Sequence, residues 1–428
     1  MTRGDATQDV PLSLMGVLML SVFTVSMGFG VFLPLLPYLI ERMLGAGGGL
    51  AQISRATGLL TALYTLSLFV FAPLWGRLSD RYGRRIILLI GLLGFSATML
   101  TFAFIESLTA VYIERALSGL FAAAVTPVAL AAIGDLAPTE QARARRLTFV
   151  SLAGISGFLL GPMLGVLMSR AGSGVLRIST AAGSLALPLT GTAALGLIAA
   201  IAVIATVPRQ TLVGPSSHQP ASAQPASRWL IPRLLALAFI VSAGVGVFEV
   251  GLALRGKQEL GLSQTQIAMM FTECSAVMII VQAIVFSPWL NPATTRWFIA
   301  PALVVMAAGL FTVPFASDFA MMLGVIGAVA ASAGILSPIV TYWISSKAGH
   351  AQGAELGKQT AASSLGAATG SAAGGLLFAT NWLPGASFML ASGLTIVGIL
   401  LSLRLPGTMV VRTQPVSPPK IFSSRTMP

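Results

Sequence analysis

The feature that most constrains this chain is a series of apolar segments, each long enough to cross a lipid bilayer as a helix. One crossing needs about 20 apolar residues, and the chain has room for roughly twelve. Of its 428 residues, 55% are hydrophobic and only 9% are charged, whereas a soluble domain has about 25% charged residues. The sequence therefore predicts an all-α polytopic membrane protein.

The predicted spans form two sets of six. They cover residues 12–36, 56–75, 86–105, 108–133, 147–169 and 183–207, then 234–254, 266–288, 297–316, 319–343, 359–381 and 385–404. The segment between the sets is rich in Pro, Ser and Gln, which predicts a flexible linker. We expect an N-terminal tail over 1–11, a bundle over 12–208, a linker over 209–232, a second bundle over 233–405 and a tail over 406–428.

The net charge of +12 is explained by membrane topology, without a nucleic-acid partner. With a cytoplasmic N-terminus, eighteen of the 25 Lys and Arg residues fall in cytoplasmic segments and six outside, while Arg115 lies within a span. The positive-inside rule therefore predicts that both termini and the linker are cytoplasmic.

An internal repeat relates the two sets of spans. Val25–Phe32 and Val241–Phe248 are identical at six of eight positions, at an offset of 216 residues. A glycine at every fourth position recurs at an offset of 209, in Gly157, Gly161 and Gly165 and again in Gly366, Gly370 and Gly374. Similar offsets in two places indicate duplication of a six-helix unit.

The segment after the second span is the most informative motif, with the sequence Gly-Arg-Leu-Ser-Asp-Arg-Tyr-Gly-Arg-Arg over Gly76–Arg85. We predict a loop in which Asp80 caps a helix end or pairs with an arginine. Such a charge cluster favours a latch that holds the helices together in one of two conformations. The alternative is a basic loop that only fixes the orientation of the chain in the membrane. The predicted gating residues are Gly76, Asp80, Arg81, Gly83, Arg84 and Arg85.

This motif resembles the loop signature between spans 2 and 3 of the major facilitator superfamily. The resemblance implies two six-helix bundles around a central cavity that opens alternately to each side of the membrane. It also implies a transporter of a small molecule or ion, commonly monomeric, that uses protons and no cofactor. The expected location is the bilayer of a bacterial cytoplasmic membrane or a membrane derived from it.

Span 5 contains the predicted helix pivot. Its glycines allow close helix contact, and proline within the span removes a backbone hydrogen bond and bends the helix. The pivot residues are Gly157, Gly161, Pro162 and Gly165, with a pure packing face as the alternative. The pattern resembles the signature of the proton-coupled antiporter branch, which includes drug and tetracycline exporters.

Three charged residues within spans are the candidates for proton coupling: Arg115, Glu249 and Glu273. A charge inside the membrane costs several kcal/mol unless it is paired, so we expect these side chains to face the protein interior. The Arg-x-x-x-Gly spacing at Arg115 resembles a span-4 signature, which implies a role in proton coupling. For both glutamates, pairing near the outer membrane interface stays an alternative. Glu114 points about 100° away from Arg115 on a helix, which leaves a solvated position open.

No enzyme is expected, because the sequence contains no phosphate-binding loop, redox constellation or Ser-His-Asp set. Cys274 is the single cysteine, and His218 and His350 are the two histidines, both in predicted cytoplasmic segments. A disulfide within the chain is therefore excluded and no metal site is predicted.

The leading prediction is proton-coupled antiport of an amphiphilic or cationic small molecule. In this scheme Glu249 exchanges a proton for substrate, Arg115 tunes Glu249, and the Gly76–Arg85 motif biases the inside-closed state. Two alternatives stay open. The chain as a whole also resembles major facilitator proteins of magnetosome membranes, which implies transport of iron or an iron complex. The other alternative is a transport-inactive scaffold or sensor, against which the intact motifs argue.

Overall fold

The computed structural model describes residues 12–45, 48–102, 104–136, 140–175, 183–208, 229–285, 292–347, 352–380, 385–403 and 405. In this part of the chain the regular structure is helical. The first half contains α1 (Leu12–Phe32), α2 (Leu36–Leu44), α3 (Leu50–Tyr82), α4 (Arg84–Phe102), α5 (Leu108–Ala122), α6 (Thr126–Leu136), α7 (Glu140–Val175) and α8 (Gly183–Thr206). The second half contains α9 (Leu230–Gln258), α10 (Gln264–Val285), α11 (Ile299–Thr312), α12 (Phe319–Lys347), α13 (Gln352–Phe378) and α14 (Ala386–Ser402).

Fourteen helices make twelve crossings because the first and fourth crossings are each broken. The gaps are Leu33–Leu35 between α1 and α2 and Ala123–Val125 between α5 and α6. Pro37 and Pro127 are the second residues of the helices that follow. Since a proline ring clashes with the carbonyl four residues earlier, each helix stops just before that carbonyl. Pro34 and Pro37 in the sequence predict a bend at the end of span 1, where the first break lies, whereas the break in span 4 was not predicted.

The helices are long and apolar enough to cross a membrane. Ten candidate spans meet both criteria in the described residues, and α5 and α6 together count as one of them. The Gly-rich α13 and the shorter α14 supply the remaining two crossings. Large apolar side chains stand exposed on the outer faces, with exposed fractions of 58% for Ile113, 65% for Ile201 and 64% for Leu400. Such a surface suits contact with lipid.

The two halves repeat the same helix pairings. In the first half α1 packs on α7 and α8, α3 on α5, and α4 on α8. The equivalent pairs in the second half are α9 with α13 and α14, α10 with α12, and α11 with α14. The halves meet through α3 with α13 and through α7 with α10, which are also equivalent under the repeat. These contacts give the whole chain a pseudo-twofold arrangement.

Each half has its own hydrophobic core. One buried cluster draws on the first eight helices and takes in only Val250, Leu254 and Ala268 from the second half. The other draws on α9–α14 and takes in Leu33 from the first half. Two separate cores allow the halves to tilt against each other without unpacking either one.

Candidate functional site

Arg115 forms a buried ion pair with the residue that precedes it. Arg115 Nε lies 2.6 Å from Glu114 Oε2, and a second nitrogen of the guanidinium donates to Glu114 Oε1 at 2.9 Å. Both side chains are only 3% exposed. The solvated position that the sequence left open for Glu114 is therefore wrong, because its carboxylate is buried in an ion pair with Arg115.

Aromatic rings surround the Arg115 guanidinium. Its central carbon lies 3.7 Å from the centroid of the Phe32 ring, and the rings of Tyr64 and Phe102 are at 5.7 and 5.5 Å. Phe29 stacks on Tyr64 with 5.0 Å between ring centroids. This arrangement holds a cation over aromatic faces, which is favourable in a dehydrated site.

Arg115 and the rings of Phe29, Phe32 and Tyr64 line a small cavity. Its volume is about 10 Å³, which is room for about one water molecule. Its walls include Phe29, Phe32, Leu33, Leu36, Leu60, Thr61, Tyr64 and Arg115. Ligand sites for drug-sized molecules usually measure about 300–1,000 Å³. The cavity is therefore too small for such a molecule in this conformation and has to widen on binding.

Glu249 lies deep in the second half on α9. Its side chain is half-buried. Gly251, two residues further along, faces Phe388 of α14. Two helical residues correspond to about 200° of rotation, so Glu249 points away from α14. Its counterpart under the 216-residue repeat is Leu33, which lines the cavity in the first half.

Glu273 lies on α10, which contacts α9, the helix that carries Glu249. One carboxylate oxygen of Glu273 is buried without a hydrogen-bond partner, and the other faces Gly327 of α12. Among the described residues, Arg115 pairs with Glu114, and no contact joins Arg115 to Glu249.

The predicted gating motif is largely helical. α3 continues to Tyr82 and α4 starts at Arg84, so Gly83 alone separates them. Gly83 has φ +93°, a conformation that favours glycine, and its N–H donates to the Ser79 carbonyl oxygen at 3.0 Å. The predicted loop is therefore the end of one helix and the start of the next.

The charged residues of the motif make contacts within the first half. Arg84 pairs with Asp80 at 2.6 Å and donates to Ser79 Oγ at 2.5 Å. Arg85 donates to the Ile204 carbonyl oxygen near the end of α8 at 2.7 Å, and Arg81 lies beside the Tyr82 ring. The pairing predicted for Asp80 is present and ties α3 to α4. We call this face of the molecule the Arg-rich end. The segment of the second half that corresponds to this motif, 286–291, lies outside the described residues.

The predicted pivot glycines pack tightly on α1. A Cβ added to Gly161 would lie 2.6 Å from the Met27 carbonyl oxygen, and one added to Gly165 would lie 3.1 Å from Val31. Gly157 is just as close to Phe23. α7 runs without interruption through Pro162, and glycines of α13 pack on α9 in the same way. The stripe thus serves close packing in both halves, and its role as a pivot stays a prediction.

At the face opposite the Arg-rich end, α2 and the α9–α10 turn join the two halves; we call this face the closed end. Lys257 Nζ lies 2.5 Å from Glu41 Oε2 and donates to the Pro37 carbonyl oxygen at 3.0 Å. Tyr38 donates from its hydroxyl to the Leu262 carbonyl oxygen at 2.5 Å.

Glycine packing completes this closure. A Cβ on Gly58 of α3 would lie 2.5 Å from the Gly375 Cα of α13. These contacts between the halves were not predicted, although Glu41 and Lys257 carry opposite charges in segments predicted to lie on the same side of the membrane.

These features describe a membrane protein built from two related helix bundles, with a small cavity beside Arg115 in the first bundle. The sequence model of the Major Facilitator Superfamily matches residues 18–357, and the chain belongs to this superfamily. Its members are transporters, which confirms that the chain is not an enzyme. It is a multi-pass membrane protein and a secondary transporter.

Relatives of known name support this assignment. The chain is 27% identical over 371 residues to Multidrug resistance protein 1 of Bacillus subtilis strain 168, covering 85% of this chain and 89% of that protein. It is 26% identical over 392 residues to Quinolone resistance protein NorA of Staphylococcus aureus strain COL, covering 90% of this chain and 95% of NorA.

Solved structures show the same fold. A D-xylose-proton symporter superposes with a TM-score of 0.75 at 14% identity, over 93% of this chain and 98% of the symporter. The human organic anion transporter MFSD10 (TETRAN) gives 0.70 at 19% identity, over 92% of this chain and all of that chain. At these identities the likeness concerns the fold alone.

Proposed function

We propose that the protein is a proton-coupled antiporter that exports amphiphilic or cationic small molecules from a bacterial cell. The observation that carries the proposal is the pair of glutamates in the second half, Glu249 and Glu273. In the described part of the chain neither has an ion-pair partner, although both lie in membrane-crossing helices. The names of the relatives, which refer to multidrug and quinolone resistance, support export.

The physical reason is competition for one carboxylate. A carboxylate buried away from water is stable when it is neutral or when a cation sits beside it. A proton and a cationic substrate therefore exclude each other at Glu249, and release of one accompanies binding of the other. Glu273 on α10, one of whose carboxylate oxygens is buried without a hydrogen-bond partner, offers a second acceptor in the same half.

Alternating exposure follows from the two separate cores. The halves touch tightly at the closed end through Lys257, Glu41 and Tyr38. We propose that the Arg-rich end faces the cytoplasm, so that the structure is the state closed to the outside. Opening needs the halves to rock about the contacts of α3 with α13 and of α7 with α10.

No observation favours the iron transporter that the sequence left open. Among the described residues, no three His, Cys, Asp or Glu side chains lie together as a metal site would require. The printed names of the relatives refer to multidrug and quinolone resistance.

The test is proton movement in liposomes that contain the purified protein. Tetraphenylphosphonium should drive proton release from the wild type and from Glu106→Gln, an exposed control, and release should be abolished in Glu249→Gln. A response to ferrous iron or a ferric chelate alone would replace the proposal with metal transport. If no solute drives proton release, the result would support a transport-inactive scaffold. If Glu249→Gln still releases protons, Glu249 does not take part in the coupling step.

A further inference from the structure

We infer that Glu114 sets the charge selectivity of the cavity by cancelling the positive charge of Arg115. The inference rests on the proposed function only in treating the Arg115 cavity as part of the substrate site. Arg115 is the cationic side chain among the residues that line this cavity. An arginine among aromatic rings is otherwise a strong receptor for an aromatic carboxylate.

The geometry shows why Arg115 does not offer that receptor. Glu114 occupies two of the guanidinium nitrogens in a fork at 2.6 and 2.9 Å, which is the arrangement that a ligand carboxylate would need. The Phe32 ring covers the flat face of the guanidinium at 3.7 Å. An anionic ligand has to displace Glu114, and the displaced carboxylate would then be buried without a partner.

The charge balance of the interior points the same way. The ion pair on α5 is neutral as a unit, while Glu249 and Glu273 have no ion-pair partner in the described residues. Ionisation of either acid therefore leaves the interior negative. Glu114 makes the aromatic cavity of the first half neutral, so that the second half alone decides which charge is accepted.

Removal of the Glu114 charge should convert the cavity into an anion site. In Glu114→Gln the side chain keeps its shape, but the Arg115 charge is no longer balanced. A carboxylate ligand then gains a charge-assisted, two-pronged contact, whereas a neutral ligand of the same shape gains nothing. Glu114 is in this sense a specificity-determining residue that acts through Arg115.

The experiment measures equilibrium binding of radiolabelled 2-naphthoate and its neutral isostere 2-naphthamide to purified full-length protein at pH 7. The wild type and the exposed control Glu106→Gln should bind 2-naphthoate no more tightly than 2-naphthamide. Glu114→Gln should prefer 2-naphthoate at least about tenfold, as expected for a charged hydrogen-bonded pair. The double variant Glu114→Gln/Arg115→Gln should lose that preference.

Three results would overturn the inference. One is a folded Glu114→Gln protein, with the wild-type thermal transition, that shows no preference. Another is a tenfold preference for 2-naphthoate in the wild type. That result would contradict neutralisation of Arg115 by Glu114 even if the variant fails to fold. The third is absence of binding of either probe in all proteins. None of these measurements involves proton release, so they test the inference about Glu114 independently of the proposed antiport.

Discussion

Lys257 lies 216 residues after Glu41, the offset that relates the two halves, and its Nζ lies 2.5 Å from Glu41 Oε2. Equivalent positions in a pseudo-twofold molecule meet where they lie near the axis. Two residues of the same charge would repel each other there. An ion pair near the axis therefore needs different residues at the equivalent positions of the two halves. The ion pair is thus placed at the centre of the closed end, where the halves separate on opening.

Loss of the Lys257–Glu41 pair should favour the state that is open at the closed end. Lys257 is 10% exposed and Glu41 56%, and pairs of this kind contribute about 0.2–1 kcal/mol. In Lys257→Gln we expect a shift of about twofold to fivefold in the open population. The measurement is the rate at which a polar maleimide labels Thr61→Cys in a Cys274→Ala background.

A matched control is Lys358→Gln, which breaks a pair with Glu355 inside α13 and joins no halves. The charge swap Lys257→Glu/Glu41→Lys should restore slow labelling. Equal labelling in all four proteins would show that this ion pair does not hold the gate.

The Tyr38 contact should be insensitive to pH over the physiological range. Burial, with a smaller contribution from the Glu41 carboxylate, raises the pKa of Tyr38 to about 12. The hydroxyl therefore keeps its proton and its hydrogen bond to Leu262, and this contribution is full below pH 10 and lost as pH rises through 12. Maleimide labelling of Thr61→Cys should be faster in Tyr38→Phe by the same factor at pH 6 and pH 8. A pH-dependent ratio would contradict this account.

The Gly58–Gly375 contact should not tolerate a methyl group. Since an added Cβ on Gly58 would lie 2.5 Å from the Gly375 Cα, Gly58→Ala has to push α3 and α13 apart at the closed end. Overpacking of this kind costs about 1–3 kcal/mol, which should shift the protein towards the open state by about fivefold to a hundredfold. Gly324→Ala on α12, which meets nothing within 4 Å, is the control for the labelling rate. Unchanged labelling in Gly58→Ala would show that the helices do not meet there.

Asp80→Asn should reduce transport without unfolding the protein. The Asp80 side chain is 65% exposed, so loss of its pair with Arg84 should change stability by less than about 1 kcal/mol. The latch interpretation predicts a severalfold lower rate of tetraphenylphosphonium-driven proton release at an unchanged thermal transition. A folded variant with wild-type transport would leave the motif with the role of fixing orientation only.

The sequence by itself determined the number and order of the crossings, their duplication and the family. These properties follow from local length and from repeated spacing, because a bilayer requires about 20 apolar residues per helix. The span predicted over 234–254 corresponds to α9, Leu230–Gln258. Hydropathy marks where the apolar window ends and not where the helix ends, which is why Gly76–Tyr82 was mistaken for a loop.

Only the tertiary structure decided which charges meet. Glu114 and Arg115 are adjacent in sequence, yet their pairing depends on burial among Phe32 and Tyr64, which come from other helices. Composition does not reveal such burial, because residues that face lipid and residues that face the core are equally apolar in a membrane protein. The contact of Lys257 with Glu41 depends in addition on the two halves being closed together, a relationship of packing that no local pattern contains.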